Sequence, residues 1–252
     1  MLKLIRAFLT AGVLEHGLVR ATEEGTPQVG PLSPLLSNIL LTDLDRELER
    51  RGHCFVRYAD DANIYVKSER AGHRVKASIT RFLQLRLKLQ VNEAKSAVAP
   101  PWQRKFLGFS FTRSGLRRRV APQALLRFKE RIRELTARNQ GRSLREVIER
   151  LAPYLRGWRG YFGFCETPSV LGELDQWIRR RLRSLVWKQW KRGRRRYAAL
   201  VARGVAPALA ATTAGSAHGP WHLALSPALH IALPNTLFVA LGLPTLYVTT
   251  SA

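Results

Sequence analysis

Acidic residues are scarce in this 252-residue chain and cysteine is nearly absent: 18 Asp and Glu stand against 42 Lys and Arg, and Cys54 and Cys165 are the only cysteines. Two cysteines build no disulfide framework, and without spaced pairs they make no zinc site, which points to a reducing, cytoplasmic setting. A formal net charge of +24 repels itself unless a polyanion lies near. Nucleic acid is the first partner to consider, with heparin-like polymers and anionic membrane surfaces sharing the same attraction. Long hydrophobic runs are missing too. Charges interrupt the opening Met1 to Arg6 and no small-residue cleavage site follows it, so it reads as an amphipathic helix and not a signal peptide. The apolar stretch Leu223 to Val248 is broken by Pro227, His230, Pro234, Asn235 and Pro244, short of the ~20 clean residues a span requires. It reads as an irregular packed tail, and no membrane partner is expected.

What is present changes character along the chain. Leu2, Ile5, Phe8, Leu9 and Val13 recur at helical spacing, fraying into a loop at Gly12 and Gly17. This helix starts without a polar lead-in or cap, as does a domain cut inside an element. After the turn-rich Gly25 to Pro31, a helix is carried by Leu35, Leu36, Ile39, Leu40, Leu44 and Leu48 and ends near Gly52. Phe55 to Tyr58 and Asn63 to Val66 alternate as two strands around Ala59-Asp60-Asp61-Ala62. A helix with Val75, Ile79, Phe82, Leu83 and Leu87 inward leads to a strand through Leu87, Leu89 and Val91. Phe106 to Phe111 forms a further strand that turns at Ser114-Gly115 and returns through Val120. Beyond Pro122 the pattern is all helical. Leu125, Phe128, Ile132 and Leu135 mark one helix. Ser143 caps a second bearing Val147, Ile148, Leu151, Leu155 and Trp158, and Thr167-Pro168 opens a third reaching about Trp190. The boundary is expected at residues 113–121, around Arg117-Arg118-Arg119. The implied fold is α+β at first and all-α afterwards.

Adjacent aspartates at a strand-to-strand tip repel each other, and a hard divalent cation resolves that conflict. Phosphoryl-transfer sites place two such ions between protein carboxylates and substrate phosphates. The competing reading of Asp60-Asp61 is a solvated turn, where Asp is common.

The surrounding residues resemble the group II intron reverse transcriptase/maturase family. Gly25-Thr26-Pro27-Gln28-Val29-Gly30-Pro31-Leu32-Ser33-Pro34-Leu35-Leu36-Ser37-Asn38 is similar to its template and nucleotide loop, and Tyr58-Ala59-Asp60-Asp61 to its catalytic hairpin. Leu87-Lys88-Leu89-Gln90-Val91-Asn92-Glu93-Ala94-Lys95-Ser96 resembles a later palm motif, and Phe106-Leu107-Gly108-Phe109 the primer-grip hairpin. Leu155-Arg156-Gly157-Trp158-Arg159-Gly160-Tyr161-Phe162 resembles the helical maturase domain. Five motifs in this order are specific, whereas a lone Tyr-Ala-Asp-Asp is not. The resemblance implies a partial polymerase palm, an antiparallel sheet with packed helices, over residues 1–115. It implies a three-helix maturase domain that binds RNA over 120–200, followed by the tail at 201–252.

By the same resemblance Asp60 and Asp61 hold Mg2+, with Mn2+ able to substitute, and Lys95 neutralises or protonates the leaving pyrophosphate or simply contacts phosphate. Tyr58, Pro27, Gln28 and Gly30 contact template or incoming nucleotide, with Tyr58 beneath the nascent base pair. Leu107 and Gly108 form the primer grip, the Gly108 backbone letting the primer approach, while Phe106 and Phe109 are core. The partners implied are group II intron RNA, an RNA template with its DNA primer, and dNTP in the intact enzyme. The implied activity is RNA-directed DNA polymerisation coupled to intron splicing and mobility.

Two departures weigh against polymerisation by these residues alone. The family's further catalytic aspartate lies upstream of the segment matched here, so the expectation is an N-terminally truncated chain that binds RNA and does not polymerise, unless an upstream segment completes it in trans. A decayed remnant of a mobile intron is the other alternative. The family loop reads Pro-Gln-Gly-Gly where this chain has Val29, and a β-branched residue resists both close approach and positive φ, unless it is simply exposed. No His/Asn/His set with cysteine pairs suggests an HNH endonuclease. In the helical half, Trp177, Ile178, Leu182, Leu185 and Val186 are expected to bury one helix side. That leaves Arg179, Arg180, Arg183, Lys188, Lys191 and Arg192 for phosphates, with Arg194, Arg195 and Arg196 as a flexible basic extension. Trp158, Tyr161 and Phe162 are expected in the core.

Overall fold

The computed structural model describes residues 2–10, 13–15, 18–20 and 32–247, which fall into two compact units, Met1–Ala99 and Pro100–Ala252. The first unit opens with helix α1 (Leu2–Thr10), as its spacing predicts, and then a short antiparallel pair, β1 (Val13–Glu15) and β2 (Leu18–Arg20), where a loop was expected. Helix α2 (Ser33–Arg50) follows. Its Leu41, Leu44 and Leu48 lie one helical turn or two apart on one face and are buried. Against that stripe lies the antiparallel hairpin β3 (Cys54–Tyr58) and β4 (Asp61–Tyr65). Phe55 and Ile64, directly opposite each other in the register, both turn to the core. Each such side chain is worth about 1.5–3 kcal/mol when fully buried.

Helix α3 (Glu69–Phe82) closes this core through Ile79. Its start is fixed by Ser68, whose hydroxyl accepts from the Ala71 N–H at 3.2 Å. Gly72 is buried where Val98 crosses; a Cβ there would stand 2.5 Å from Val98 Cγ1. Downstream, the expected strand at 87–91 does not form. Leu83–Leu87 instead makes a turn of π-helix, Lys88 caps it at φ 56°, and the Leu89 N–H bonds back to the Leu83 carbonyl at 3.0 Å. The backbone groups a strand would offer to a neighbour are used within the turn.

The second unit begins with a three-stranded antiparallel sheet, β5 (Lys105–Phe106), β6 (Phe109–Phe111) and β7 (Arg118–Val120). Helices α4 (Pro122–Leu135), α5 (Leu144–Phe162) and α6 (Ser169–Gln189) come next. Ser143 makes the capping box expected of it, its hydroxyl receiving the Glu146 N–H while the Glu146 carboxylate receives the Ser143 N–H. Phe128, Tyr154 and Trp158 stack between α4 and α5, with ring centroids 4.5–5.7 Å apart. Every residue from Leu182 to Trp187 is buried, so this stretch of α6 is enclosed on all sides, which a helix with a single apolar stripe is not.

What encloses it is the end of the expected 120–200 domain together with the region 201–252 expected to be an irregular tail. Residues 193–240 fold as five further helices, α7 (Gly193–Val201), α8 (Pro207–Ala214), α9 (Pro220–Leu223), α10 (Pro227–Ala232) and α11 (Asn235–Ala240). Leu200, Leu229 and Phe238 join one continuous core with Leu155, Ile178 and Trp187. The three-helix expectation is therefore corrected to a larger all-helical region. Asp175 clamps the last described turn: its buried carboxylate accepts the N–H groups of Leu246 and Tyr247, each at 3.0 Å. No helix among the described residues is long and apolar enough to cross a membrane.

Candidate nucleic-acid interface

In the first unit, Tyr58 pairs with Asp61 across β3 and β4, leaving Ala59 and Asp60 as a two-residue turn. Ala59 has φ 53°, a conformation that costs a residue with a Cβ and needs support. Arg57 supplies it. Its guanidinium donates to the Ala59 carbonyl at 2.8 Å and to both Asp45 oxygens on α2 at 2.6 and 2.8 Å, with a further bond to Asn38 Oδ1. The Asp45 carboxylate holds Arg57 more firmly protonated than an ordinary arginine. The tip is thereby tied to α2 while Asp60 and Asp61 are exposed, and neither carboxylate makes a hydrogen bond or ion pair among the described residues.

Two unengaged hard-oxygen groups side by side suit Mg2+, which binds one or two carboxylates together with water and substrate phosphates. They are a partial set, because no cluster of three or more His, Cys, Asp or Glu able to hold a metal occurs among the described residues. Tyr58 is 63% exposed, presenting a ring face beside that tip. Lys95 is exposed in a turn after Asn92 that Lys76 braces, through its ion pair with Glu93 at 2.6 Å and its bond to the Ser96 carbonyl. Pro27, Gln28, Val29 and Gly30 lie outside the described residues.

The Leu107 and Gly108 turn belongs to the second unit. Both residues have positive φ, 49° and 77°, as the two central residues of a I′ hairpin turn require. The Tyr161 hydroxyl donates to the Leu107 carbonyl at 2.9 Å, and Phe109 packs on Tyr161, Phe162 and Phe164. A Cβ on Gly108 would meet the Phe162 ring at 3.0 Å, so that flank of its backbone is filled by protein. Trp158 is in the core, as expected, whereas Tyr161 is 46% exposed.

The arginines expected to face phosphates divide into two groups. Arg183 is only 3% exposed, donating to the Leu233 carbonyl at 3.0 Å and Asn235 Oδ1 at 2.9 Å and lying over the Phe238 ring. It is a structural tether and no phosphate contact, because the tail that sequence reasoning left irregular wraps over it. Half-buried Arg180 donates to the Trp221 carbonyl and stacks on the Trp221 ring at 4.0 Å. Arg196 is half-buried over Trp187, and Arg179 is half-buried.

Lys188, Lys191, Arg192, Arg194 and Arg195 remain exposed, at the junction of α6 and α7. Arg194 to Arg196 are no flexible extension; they form the first turn of α7, which holds no acidic residue. Cations at a helix N-terminus oppose its dipole, and a phosphate held there reverses the sign of that interaction. The paired variant Arg194→Gln/Arg195→Gln should therefore gain a few tenths of a kcal/mol in stability. It should also lower the slope of log affinity for RNA against log salt by about 1.4, from about 0.7 per phosphate contact on a single strand. Urea titration and binding over 50–300 mM KCl check the two together. Sequence reasoning overlooked Arg133, Arg138 and Arg181, which the fold gathers beside Trp177 and Trp221; scattered over three segments, they leave no local pattern.

Comparison with known proteins finds two family segments, the first of which runs past the boundary between the two units. Residues 2–111 match the family of reverse transcriptases (RNA-dependent DNA polymerases), and residues 125–203 match the group II intron maturase-specific domain. The chain is 28% identical to protein YkfC of Escherichia coli strain K12 over 174 residues, covering 56% of this chain and 45% of that one. It is 54% identical over 46 residues to the group II intron-encoded protein LtrA of Lactococcus lactis subsp. cremoris, 18% of this chain and 8% of LtrA. The matches thus span less than half the length of these relatives.

Proposed function

Because this chain belongs to the group II intron reverse transcriptase/maturase family, we propose that it binds intron RNA through the basic junction of α6 and α7 and carries the metal-binding hairpin of an RNA-directed DNA polymerase at Asp60 and Asp61. The observation that carries this reading is the concentration of exposed Lys188, Lys191, Arg192, Arg194 and Arg195 at one junction, including the first turn of a helix without acids. RNA supplies the anions that this arrangement lacks.

Bound Mg2+ would lower the pKa of a primer 3′-hydroxyl and neutralise charge on the transferring phosphoryl group. The protein's part is to present Asp60 and Asp61 on a turn fixed by Arg57, to offer the Tyr58 ring for stacking, and to supply the Lys95 ammonium to phosphate. Residues 1–252 by themselves bind RNA and do not extend a primer. Two carboxylates leave the metal pair under-neutralised, and misplacement by about 1 Å costs on the order of 100-fold in rate.

A second reading, completion of the site by an upstream segment in trans, is favoured by one observation. The hairpin β3–β4 is a two-stranded sheet among the described residues, with Val56 and Tyr65 exposed at 47% and 42% beside Tyr58. Two strands alone are marginal in water.

Both readings are tested with the 252-residue protein, intron-derived RNA and a primed RNA template in Mg2+. RNA affinity is expected to fall steeply with salt, with a log–log slope of roughly −3 to −5 for about five phosphate contacts, and no primer extension is expected. Salt-independent or undetectable RNA binding rejects the proposal, as does extension by this polypeptide alone. Mg2+-dependent extension that begins only when a separately made upstream segment is added establishes the second reading.

A further inference from the structure

Between the end of α4, the start of the following loop, α6 and α9, the second unit forms an open-sided cavity of about 260 Å³. Its charged lining is cationic. Arg133, Arg138 and Arg181 converge there, and none of the three makes an ion pair among the described residues. Glu134, the nearest acid in sequence, pairs with Arg131 at 2.7 Å. The half-buried Arg181 is held in place: its Nε donates to Thr136 Oγ1 at 2.7 Å, and that hydroxyl donates to the Ile132 carbonyl at 2.6 Å. Arg138 donates to Ser184 Oγ at 3.2 Å. Burial, together with the charges of Arg133 and Arg138, makes the protonated Arg181 less favourable than an ordinary arginine. Three like charges gathered around one cavity, two of them held by hydrogen bonds, repel one another, and an anion relieves that repulsion.

The remaining walls are aromatic. Trp177 lies four residues before Arg181 and seven before Ser184, so all three share one face of α6. The Arg181 and Arg133 guanidinium carbons stand 5.3 and 5.8 Å from its ring centroid. Trp221, from α9, is 37% exposed, with Arg180 stacked on its ring and bonded to its carbonyl. Cations without an acidic partner among the described residues and, beside them, partly exposed indoles are the two features that hold an unpaired nucleotide, through its phosphate and through the face or edge of its base. In a duplex the base faces are already stacked and unavailable to an indole.

We infer that this cavity is a subsite for one unpaired nucleotide of an RNA chain, with the phosphate among Arg133, Arg138 and Arg181 and the base against Trp177 or Trp221. The inference rests on the RNA-binding reading above and adds a preference for unpaired RNA at a place separate from the α6–α7 junction.

The test uses the full 252-residue protein, a 12-nucleotide oligouridine and a blunt 12-base-pair RNA duplex at equal salt, with circular dichroism to confirm folding. Arg133→Ala/Arg138→Ala alters exposed side chains and should weaken oligouridine binding at least tenfold while changing duplex binding no more than about threefold. Trp221→Ala should weaken oligouridine binding about five- to tenfold, and Trp221→Phe should retain most of it. Equal losses on both ligands, or no loss on either, overturn the subsite while leaving RNA binding at the junction standing. Failure of the unaltered protein to bind either RNA overturns both. Binding of anionic phosphatidylserine vesicles that depends on the same arginines, with RNA binding unaffected, assigns the cavity to a membrane surface and overturns it as well.

Discussion

Arg183→Ala is expected to destabilise the helical unit by about 2–4 kcal/mol and to leave the RNA affinity of the folded protein unchanged within a factor of about two. Lys188→Ala, five residues on along the same helix, should do the opposite. Arg183 is 3% exposed, and its two hydrogen bonds run to groups on the chain that covers it, the Leu233 carbonyl and Asn235 Oδ1. Truncation leaves both acceptors without their donor and opens a hole beside Phe238. Charge-assisted bonds of this kind contribute about 1.5–3 kcal/mol each, and relief of the buried charge returns part of that. Lys188 is exposed, so its loss should move stability by under about 0.5 kcal/mol and reduce the salt slope of RNA binding by roughly 0.7–0.9. Urea titration and anisotropy at several salt concentrations separate the two variants. If Arg183→Ala weakened RNA binding as Lys188→Ala does, with stability intact, Arg183 would have to face solvent and its place beneath α11 would be wrong.

That pair of arginine and lysine shows where sequence pattern stops informing. Along α6, Trp177, Ile178, Leu182, Leu185 and Val186 mark an apolar face, and all of them do pack inward or half inward. Arg183 falls on the opposite side and reads as a solvated cation unless something covers it. The cover is made of two helices of six residues each, α10, which starts at Pro227 and ends into Leu233, and α11, which Pro234 precedes. In a hydropathy reading a proline breaks a segment; at the first helical position, where its missing N–H bonds to nothing anyway, it begins one. Helices this short take their stability from packing and not from their own turns, so local sequence carries little sign of them. Leu87, Leu89 and Val91 misled in the other direction. Their alternation has a strand's period, yet Leu87 ends a π-turn that Lys88 closes and residues 89–91 run on without strand pairing, since a strand needs a neighbour and none is present among the described residues.

The elements that were legible are those whose signals are local and chemically specific. Ser143 and Glu146 three residues apart are a helix start in themselves. The hairpin around Asp60 follows from alternation on both sides of a polar turn, and its register puts Asp60 in the turn and Asp61 at the first strand position. What supports that turn was not legible. Asp45 and Asn38, on α2, reach Arg57 from 12 and 19 residues away, and only the packing of α2 on the hairpin brings them together.

Gly108→Val is expected to destabilise the second unit by about 2–4 kcal/mol, and Leu107→Gly, one residue earlier in the same turn, to stay within about 1 kcal/mol of the unaltered protein. At φ 77° a β-branched residue is strained, and its Cβ would lie 3.0 Å from the Phe162 ring. Phe162 cannot easily give way, because Trp158, Tyr161 and Phe109 surround it at ring distances of 4.7–5.1 Å. Leu107 carries a similar backbone strain at φ 49° with its side chain 37% exposed. Glycine relieves that strain while adding chain entropy to the unfolded state, and the two effects oppose each other. The Tyr161 hydroxyl keeps its bond to the residue 107 carbonyl in either case. In a unit of this size about 1 kcal/mol corresponds to roughly 2–4 °C in melting temperature, so Gly108→Val should melt on the order of 5–15 °C lower. The residues of this turn fall within the reverse transcriptase match, which ends at 111, yet they pack on helix α5 of the maturase match, which begins at 125. A melting temperature unmoved by Gly108→Val would show that the hairpin does not dock on α5. A large drop means that the two family segments meet inside one packed core, so that altering either segment near residue 108 changes the stability of both.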